Sequence, residues 1–357
     1  MAIFTRANLP VAGVVAFYMF SALLMIFVNK AVLTSSPQLP LAFLLIQLLI
    51  AVILLHISAL FSSKIEIPNL NIQSAKSLFP VVFINIVGLV FNTLCLRGVE
   101  ASFFQIARGM VLPLTILISA IHTRILPNPR NKILLSATIV TSGFLLGVTP
   151  SSALPLSATP SMLSLFYGFL SSLAIAIHAV LIKSSLPFCN NSTIQLAYWT
   201  NLGSAAMIAP FVILHGEHTL LLELIMDGGS VQSKTFLWGS IVTGVFGFLL
   251  CIAGLLSIKI TSPITHMFSS AARSVLQTLL GVWLFKDVLT VNRAASIAVI
   301  VLGTVYYTWI KSQTGAPPKA PTSSVSPPSS KEVDLEAGNG ETEKLRDDDQ
   351  LEKEGRA

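Results

Sequence analysis

The sequence predicts an all-α, polytopic membrane protein with ten transmembrane helices arranged as a 5+5 inverted repeat. Of its 357 residues, 53% are hydrophobic and only 11% are charged, and the mean hydropathy is +0.78. Soluble domains carry about 25% charged residues. Because apolar runs of membrane-spanning length also recur along the chain, lipid is the expected solvent for most of it.

The apolar runs give the number of helices. A helix of about 20 residues crosses the roughly 30 Å hydrocarbon core of a bilayer. We place such helices at 11–29, 41–61, 77–96, 102–122, 133–149, 162–182, 194–214, 236–257, 264–285 and 294–311. The first run is too long for the apolar region of a signal peptide and has no clear cleavage site, so we take it as a membrane helix.

The distribution of Lys and Arg predicts the orientation. Ten crossings put both termini on one side, and positive charge is enriched on the cytosolic side. With cytosolic termini, that side holds Arg6, Lys64, Lys76, Arg124, Arg130, Lys132, Lys183, Lys259 and Lys311, against Lys30, Arg97, Lys234, Lys286 and Arg293 on the other. Both termini are therefore predicted to be cytosolic, and the glycosylation acceptors Asn190 and Asn191 to stay unmodified.

An internal repeat divides the helical domain into halves at about 1–155 and 156–311. A shift of 160 residues aligns Gly143 with Gly303. In each half a glycine-rich helix, 77–96 or 236–257, precedes a helix with one arginine. Because each half has an odd number of crossings, the second half would be inserted upside down.

The last segment differs from the rest in composition. Residues 1–311 hold 16 Lys and Arg against 6 Asp and Glu, whereas 312–357 hold 6 against 10. The latter segment is rich in Pro, Ser and charge and has too few apolar residues to form a core. We expect a disordered acidic cytosolic tail there.

Two arginines inside predicted helices are the first candidates for a functional site. Arg108 lies in the fourth helix and Arg273 in the ninth, and no Asp or Glu lies within any of the ten spans. An arginine at mid-membrane costs about 2.5–3.5 kcal/mol and normally faces a cavity or the bundle interior. Since guanidinium groups bind phosphate bidentately, these arginines predict a phosphate-bearing ligand.

Polar side chains accompany these arginines at helical spacing. In the ninth helix, His266, Ser269 or Ser270, Arg273 and Gln277 form one stripe. In the fourth helix, Ser102, Gln105 and Arg108 form a shorter stripe, which Thr115 and Ser119 would continue. One face of the seventh helix carries Gln195, Tyr198, Asn201 and Ser204, groups that suit a base or ribose, although polar residues also join membrane helices to one another.

Several classes of function find no support in the sequence. It contains no phosphate-binding loop, metal-ligand spacing or catalytic triad that would indicate an enzyme, and no cofactor is expected. Cys95, Cys189 and Cys251 are too scattered for a disulfide or zinc framework. No basic patch interleaved with aromatic residues predicts a nucleic-acid partner.

Three segments resemble the nucleotide-sugar transporters of the drug/metabolite transporter superfamily, above all the GDP-fucose transporters. They are FVNKAVL (27–33), FNTLCLRGVEASFFQIARGMVLPLTILIS (91–119) and GLLSIKITSPITHMFSSAARSVLQTLLGVWLF (254–285). The resemblance extends over 11–311. It implies exchange of a cytosolic nucleotide-sugar for a lumenal nucleoside monophosphate across a Golgi or endoplasmic-reticulum membrane, and it is compatible with a homodimer.

The resemblance also implies site residues. In GDP-sugar carriers a run of small residues ending in a basic one contacts the ligand. Here the run comprises Ser269, Ser270, Ala271, Ala272 and Arg273, with Thr265 and His266 just before it. The guanine-binding motif of the seventh helix matches Tyr198, Trp199, Thr200 and Asn201, with Thr200 where relatives have asparagine. Tyr18 matches a cavity tyrosine, and Lys30 or Arg108 would assist Arg273 at the diphosphate.

Two other functions remain open at this point. A phosphorylated-sugar exchanger of the triose-phosphate type would use the same arginines without the base-binding helix. A non-transporting receptor or chaperone would use the cavity as a binding surface.

Overall fold

Helices make up the computed structural model. It describes residues 9–62, 65–125, 128–149, 161–260 and 263–314, without the side chains of 9–12, 14, 15, 183, 251–272 and 314. The helices are α1 (Leu9–Ser35), α2 (Pro40–Phe61), α3 (Ile72–Gly98), α4 (Ala101–Ala107), α5 (Val111–Thr123), α6 (Arg130–Val148), α7 (Met162–Ser185), α8 (Thr193–Leu214), α9 (Glu217–Met226), α10 (Val231–Ile260), α11 (Pro263–Phe285) and α12 (Val291–Thr314). The all-α prediction is confirmed, and the predicted tail lies outside the described residues.

Within the described part, nine helical segments are long and apolar enough to cross a membrane. They correspond to the predicted spans except the ninth, and α4 and α5 together count as one of them. The helix α11 is also of membrane length, with 23 residues, but its described apolar part is the shorter Arg273–Phe285. A polytopic membrane protein is confirmed, and the number ten stays a prediction.

The predicted fourth helix is not continuous. Arg108, Gly109 and Met110 form a turn between α4 and α5. Pro113 has no N–H to donate to the carbonyl group of Gly109, and glycine is itself a weak helix former, so the sequence favours a break here. Arg108 is therefore separated from Thr115 and Ser119 by a helix break, and a common face for the three side chains stays a prediction.

The sequence analysis also missed α9, which lies between the seventh and eighth spans. Its first residue, Glu217, accepts hydrogen bonds from the amides of Ala42 (2.7 Å) and Leu41 (3.4 Å). These amides belong to the first turn of α2, which has no side-chain cap of its own. Burial raises the pKa of Glu217. The carboxyl group therefore caps α2 from a distant part of the chain.

Helix pairing follows a regular pattern. In the predicted repeat, each span corresponds to the span five places away. The pair α3 and α7 then corresponds to the pair α10 and α1, and both pairs are in contact. The pair α2 and α10 corresponds to the pair α8 and α3, and these are also in contact. The helices α6 and α12 exchange with each other and are also in contact. This is the pairing that the predicted repeat requires.

The pair α6 and α12 shows this exchange at atomic detail. A Cβ atom built on Gly143 would lie 2.9 Å from Cγ1 and 3.1 Å from the backbone nitrogen of Ile300. One built on Gly303 would lie 2.6 Å from Cγ2 and 3.2 Å from the backbone nitrogen of Val140. The shift of 160 residues that aligns Gly143 with Gly303 also aligns Val140 with Ile300. The contact of Gly143 with Ile300 and the contact of Gly303 with Val140 are therefore equivalent in the predicted repeat. The missing side chains allow the two backbones to approach closely.

We predict that Gly143→Ala and Gly303→Ala each lower the melting temperature of the purified protein in detergent. Overpacking of a tight contact costs about 1–3 kcal/mol, and the backbone atoms opposite cannot move aside as a flexible side chain can. Thermal unfolding followed by fluorescence-detected size exclusion measures the effect. Gly247→Ala is the control, because its methyl would meet only Met25 side-chain atoms at 3.4 and 3.5 Å. Equal melting temperatures for all three variants would contradict this packing.

Candidate substrate site

Arg108 lies at the break between α4 and α5, where the chain turns. Its guanidinium group lies over the ring of Phe104, 5.3 Å from the centroid. Its Nε atom is buried and has no hydrogen-bond partner among the described residues. The turn therefore places a cation in the bundle whose hydrogen-bonding capacity is not used up by the described protein groups.

Arg273 of α11 faces the same region. Its guanidinium carbon lies 6.0 Å from the ring centroid of Tyr18 in α1, so two predicted site residues are brought together. One turn further along α11, Gln277 is buried and donates to the carbonyl group of Ala101 at the start of α4 (2.9 Å). This bond joins α11 to the start of α4.

The two arginines lie on neighbouring segments, because α4 packs against α11. In the part of the chain that the structure describes, no carboxylate lies within salt-bridge distance of either one. Like charges that approach each other in a medium of low dielectric repel strongly unless an anion lies between them. The pair is therefore suited to a ligand with negative charge.

A cavity of about 310 Å³, here called the α8 cavity, is lined by two of the predicted base-binding residues, Thr200 and Asn201. Polar residues from four helices line it: Gln47, Asn85, Thr200, Asn201 and Thr243. Asn201 donates to the carbonyl group of Ala197 (2.8 Å). The α8 cavity therefore offers several hydrogen-bonding groups within an otherwise apolar wall, as ligand sites do.

A second cavity of about 240 Å³, here called the α4 cavity, adjoins Arg108. Asn92 and His178 also line it, and it shares Asn85 and Leu89 with the α8 cavity. The two cavities are therefore adjacent, and their combined linings include residues from the predicted base-binding helix and Arg108.

A larger cavity, of about 600 Å³, lies between α3, α8 and the start of α2. Its wall includes Phe83, Phe91 and Phe211, with Arg97 and His215 among the few polar residues. Neither Arg108 nor Arg273 lines it. Because size alone does not bind an anion, we assign the candidate site to the α4 cavity, which Arg108 lines, and to the adjacent α8 cavity.

The structure does not bring every predicted residue to these cavities. Tyr198 is only 5% exposed and packs with Val52, Leu55 and Phe248, with its ring edge-on to that of His56. It is absent from the lining of the α8 cavity, whereas Asn201, three residues on, is present.

Lys30 has partners of its own. Its ammonium group donates to the carbonyl groups of Leu96 (3.0 Å), Arg97 (3.3 Å) and Val99 at the end of α3. An ammonium group has three N–H donors, so all of them are used. In this structure Lys30 caps a helix, and a role at the diphosphate would require these bonds to break.

The small-residue run of α11 is helical, as the prediction requires. The backbone of α11 includes Thr265, His266, Ser269, Ser270 and Ala271. Their side chains lie outside the described part, so their contact with a ligand stays a prediction.

Gln47 was missed by the sequence analysis. Its amide nitrogen donates to Asn29 Oδ1 (2.8 Å) and Thr243 Oγ1 (2.7 Å), which joins α1, α2 and α10 beside the α8 cavity. Polar side chains deep within apolar spans often mark functional interiors. That signal alone would have found Gln47.

Membrane-spanning helices around a polar, cationic interior define a membrane transport protein, and comparison with known proteins agrees. The sequence profile of the Triose-phosphate Transporter family matches residues 10–308. The chain therefore belongs to this family, and the predicted resemblance is confirmed.

Three relatives carry more specific names. GDP-fucose transporter 1 of Dictyostelium discoideum is 29% identical over 306 residues, covering 83% of this chain and 79% of that protein. GDP-fucose transporter 1 of Mus musculus is 28% identical over 317 residues, covering 86% and 85%. The GDP-fucose transporter, Golgi, of Drosophila melanogaster is 28% identical over 315 residues, covering 85% and 90%.

We predict that Arg273→Ala reduces uptake of a phosphate-bearing substrate by about 100-fold in proteoliposomes, because removing one partner of a desolvated charge pair costs 2–5 kcal/mol or more. Arg273→Lys keeps the charge but not the bidentate geometry and should retain part of the activity. Arg130→Ala is the control, since Arg130 is exposed at the start of α6. Full uptake by Arg273→Ala would remove Arg273 from the site.

Proposed function

We propose that this protein is a nucleotide-sugar antiporter that imports GDP-fucose, or another GDP-sugar, into the Golgi lumen in exchange for GMP. The observation that carries the proposal is the pair Arg108 and Arg273, neither of which has a carboxylate partner among the described residues. Arg108 lines the α4 cavity, which is adjacent to the cavity lined by Asn201. The names of the relatives support the choice of substrate and of the Golgi membrane.

The groups of the proposed substrate match those of the site. A diphosphate supplies two adjacent anionic groups for the two guanidinium groups, and charge-assisted pairs of this kind are strong where water is scarce. The amide of Asn201 and the other polar groups of the α8 cavity are available for the nucleoside. In this assignment Tyr18 lies against Arg273 and orients it.

Exchange has a physical reason in the same charges. A site that closed empty would bury two guanidinium groups without an anion, and the burial of an unpaired charge is costly. A bound nucleotide-sugar or nucleoside monophosphate removes that cost. The carrier therefore changes between its cytosol-facing and lumen-facing states with a ligand bound. In this proposal both termini lie on the cytosolic side of the membrane.

Trans-stimulation tests the proposal. Proteoliposomes containing the protein are preloaded with GMP, UMP or inorganic phosphate, and uptake of radiolabelled GDP-fucose is measured. We expect GMP to raise the initial rate by at least about tenfold over empty vesicles, because GMP carries a phosphate for the arginines and the same nucleoside as GDP-fucose for the α8 cavity.

Vesicles preloaded with the other solutes distinguish the two alternative functions. If phosphate exchanged with a phosphorylated sugar and GMP had no effect, the protein would be a phosphorylated-sugar exchanger, as the family description suggests. Absence of any uptake by protein that is folded and inserted would indicate a receptor or chaperone.

A further inference from the structure

The α4 cavity holds polar groups that lack hydrogen-bond partners. Arg108, Asn92 and His178 line it. Arg108 Nε, Asn92 Oδ1 and His178 Nε2 are each buried without a hydrogen-bond partner in the described part of the chain. They come from α4, α3 and α7, so the fold gathers them from three separate helices.

Such a group of unpartnered atoms calls for an explanation. A buried polar atom without a partner costs about 1–3 kcal/mol, and within a bilayer there is little water to relieve it. Most buried polar atoms in proteins are paired. Three exceptions around one cavity indicate a site that is completed by a ligand.

The types of atom define the ligand. Arg108 Nε can only donate, so it needs an acceptor, whereas Asn92 Oδ1 can only accept and needs a donor. A fully ionised phosphate supplies acceptors alone. Hydroxyl groups supply both, and His178 Nε2 can act in either direction according to its tautomer.

The remaining wall suits a sugar ring as well. Leu89, Gly88 and Ile175 give the cavity an apolar side, which the C–H groups of a pyranose can cover. At Gly88 the helices α3 and α7 are so close that an added Cβ would lie 3.2 Å from the Cβ of Ala174. The cavity is therefore partly apolar, and α3 and α7 each supply both apolar and hydrogen-bonding residues to its wall.

We propose that the α4 cavity binds the sugar of the transported nucleotide-sugar, and that Asn92 and His178 determine which sugar is accepted. This inference rests on the proposed function. Asn85 and Leu89 line both the α4 cavity and the α8 cavity, and α11, which carries Arg273, packs against α4. The substrate would then lie with its nucleoside in the α8 cavity, its diphosphate at the arginines and its sugar beside Asn92.

The test compares a substrate that has the sugar with one that lacks it. KM is measured for GDP-fucose and for GMP in proteoliposomes containing wild type, Asn92→Leu or His178→Phe. The ratio of KM for GDP-fucose to KM for GMP should rise roughly tenfold in each variant, the effect of one lost hydrogen bond of about 1.4 kcal/mol. Asn92→Ser keeps a donor and an acceptor and should restore most of the wild-type ratio.

Thr200→Val is the control, because Thr200 lines the α8 cavity and not the α4 cavity; GMP and GDP-fucose would place the same nucleoside there, so both KM values should change alike. Size-exclusion profiles establish whether each variant is folded. If Asn92→Leu does not fold, the KM ratios of Asn92→Ser and His178→Phe are compared instead, and only His178→Phe should show the increase. An unchanged ratio in variants that still exchange nucleotide would overturn the sugar subsite and leave the antiporter intact. Failure of the wild type to exchange either substrate would instead refute the proposed function, and the subsite with it.

Discussion

Two positive charges held inside an apolar bundle are the constraint on which the rest of this structure depends. Arg108 and Arg273 lie in membrane helices, where an arginine is costly, and each lacks a carboxylate partner in the described part of the chain. Two other cations, near the ends of helices, have protein groups as partners. Arg293 pairs with Glu100, donates to the carbonyl group of Val288 and lies over an aromatic ring. Lys30 is satisfied by three carbonyl groups.

The architecture gives these two arginines comparable places. They lie in the fourth and ninth spans, which exchange with each other in the predicted repeat, and α4 and α11 are in contact. Interrupted helices and binding near the midplane are common in transporters built from inverted repeats. The reciprocal contacts of Gly143 and Gly303 indicate that the same relation governs the packing of α6 and α12. We therefore regard the substrate site as lying where the proposed halves meet.

The sequence was sufficient to predict what depends on local composition. Apolar length identified the helices, and the absence of carboxylates from the spans identified Arg108 and Arg273 as unusual. It was insufficient where distant residues decide the outcome. Glu217 caps α2 across 175 residues of sequence, and the three carbonyl groups that bind Lys30 belong to another helix. The burial of Tyr198 away from the α8 cavity likewise depends on packing against α2 and α10.

Some of the missed features did have a local signal. Gly109 and Pro113 together indicate the break after α4, although apolar length alone suggests one helix. His178 and Asn92 are polar residues in apolar spans, but each admits a structural explanation by itself. Only the fold shows that both lie beside Arg108, so the inference about the sugar could not be made from the sequence.

The most direct test of the central claim is whether the protein binds the negative charge of its ligand. Isothermal titration calorimetry of the purified protein in detergent, at fixed low ionic strength, compares GMP with guanosine, which has the same base and ribose but no phosphate. The account predicts that GMP binds about 100-fold more tightly, because only GMP neutralises the guanidinium groups. Equal affinities for GMP and guanosine would contradict it.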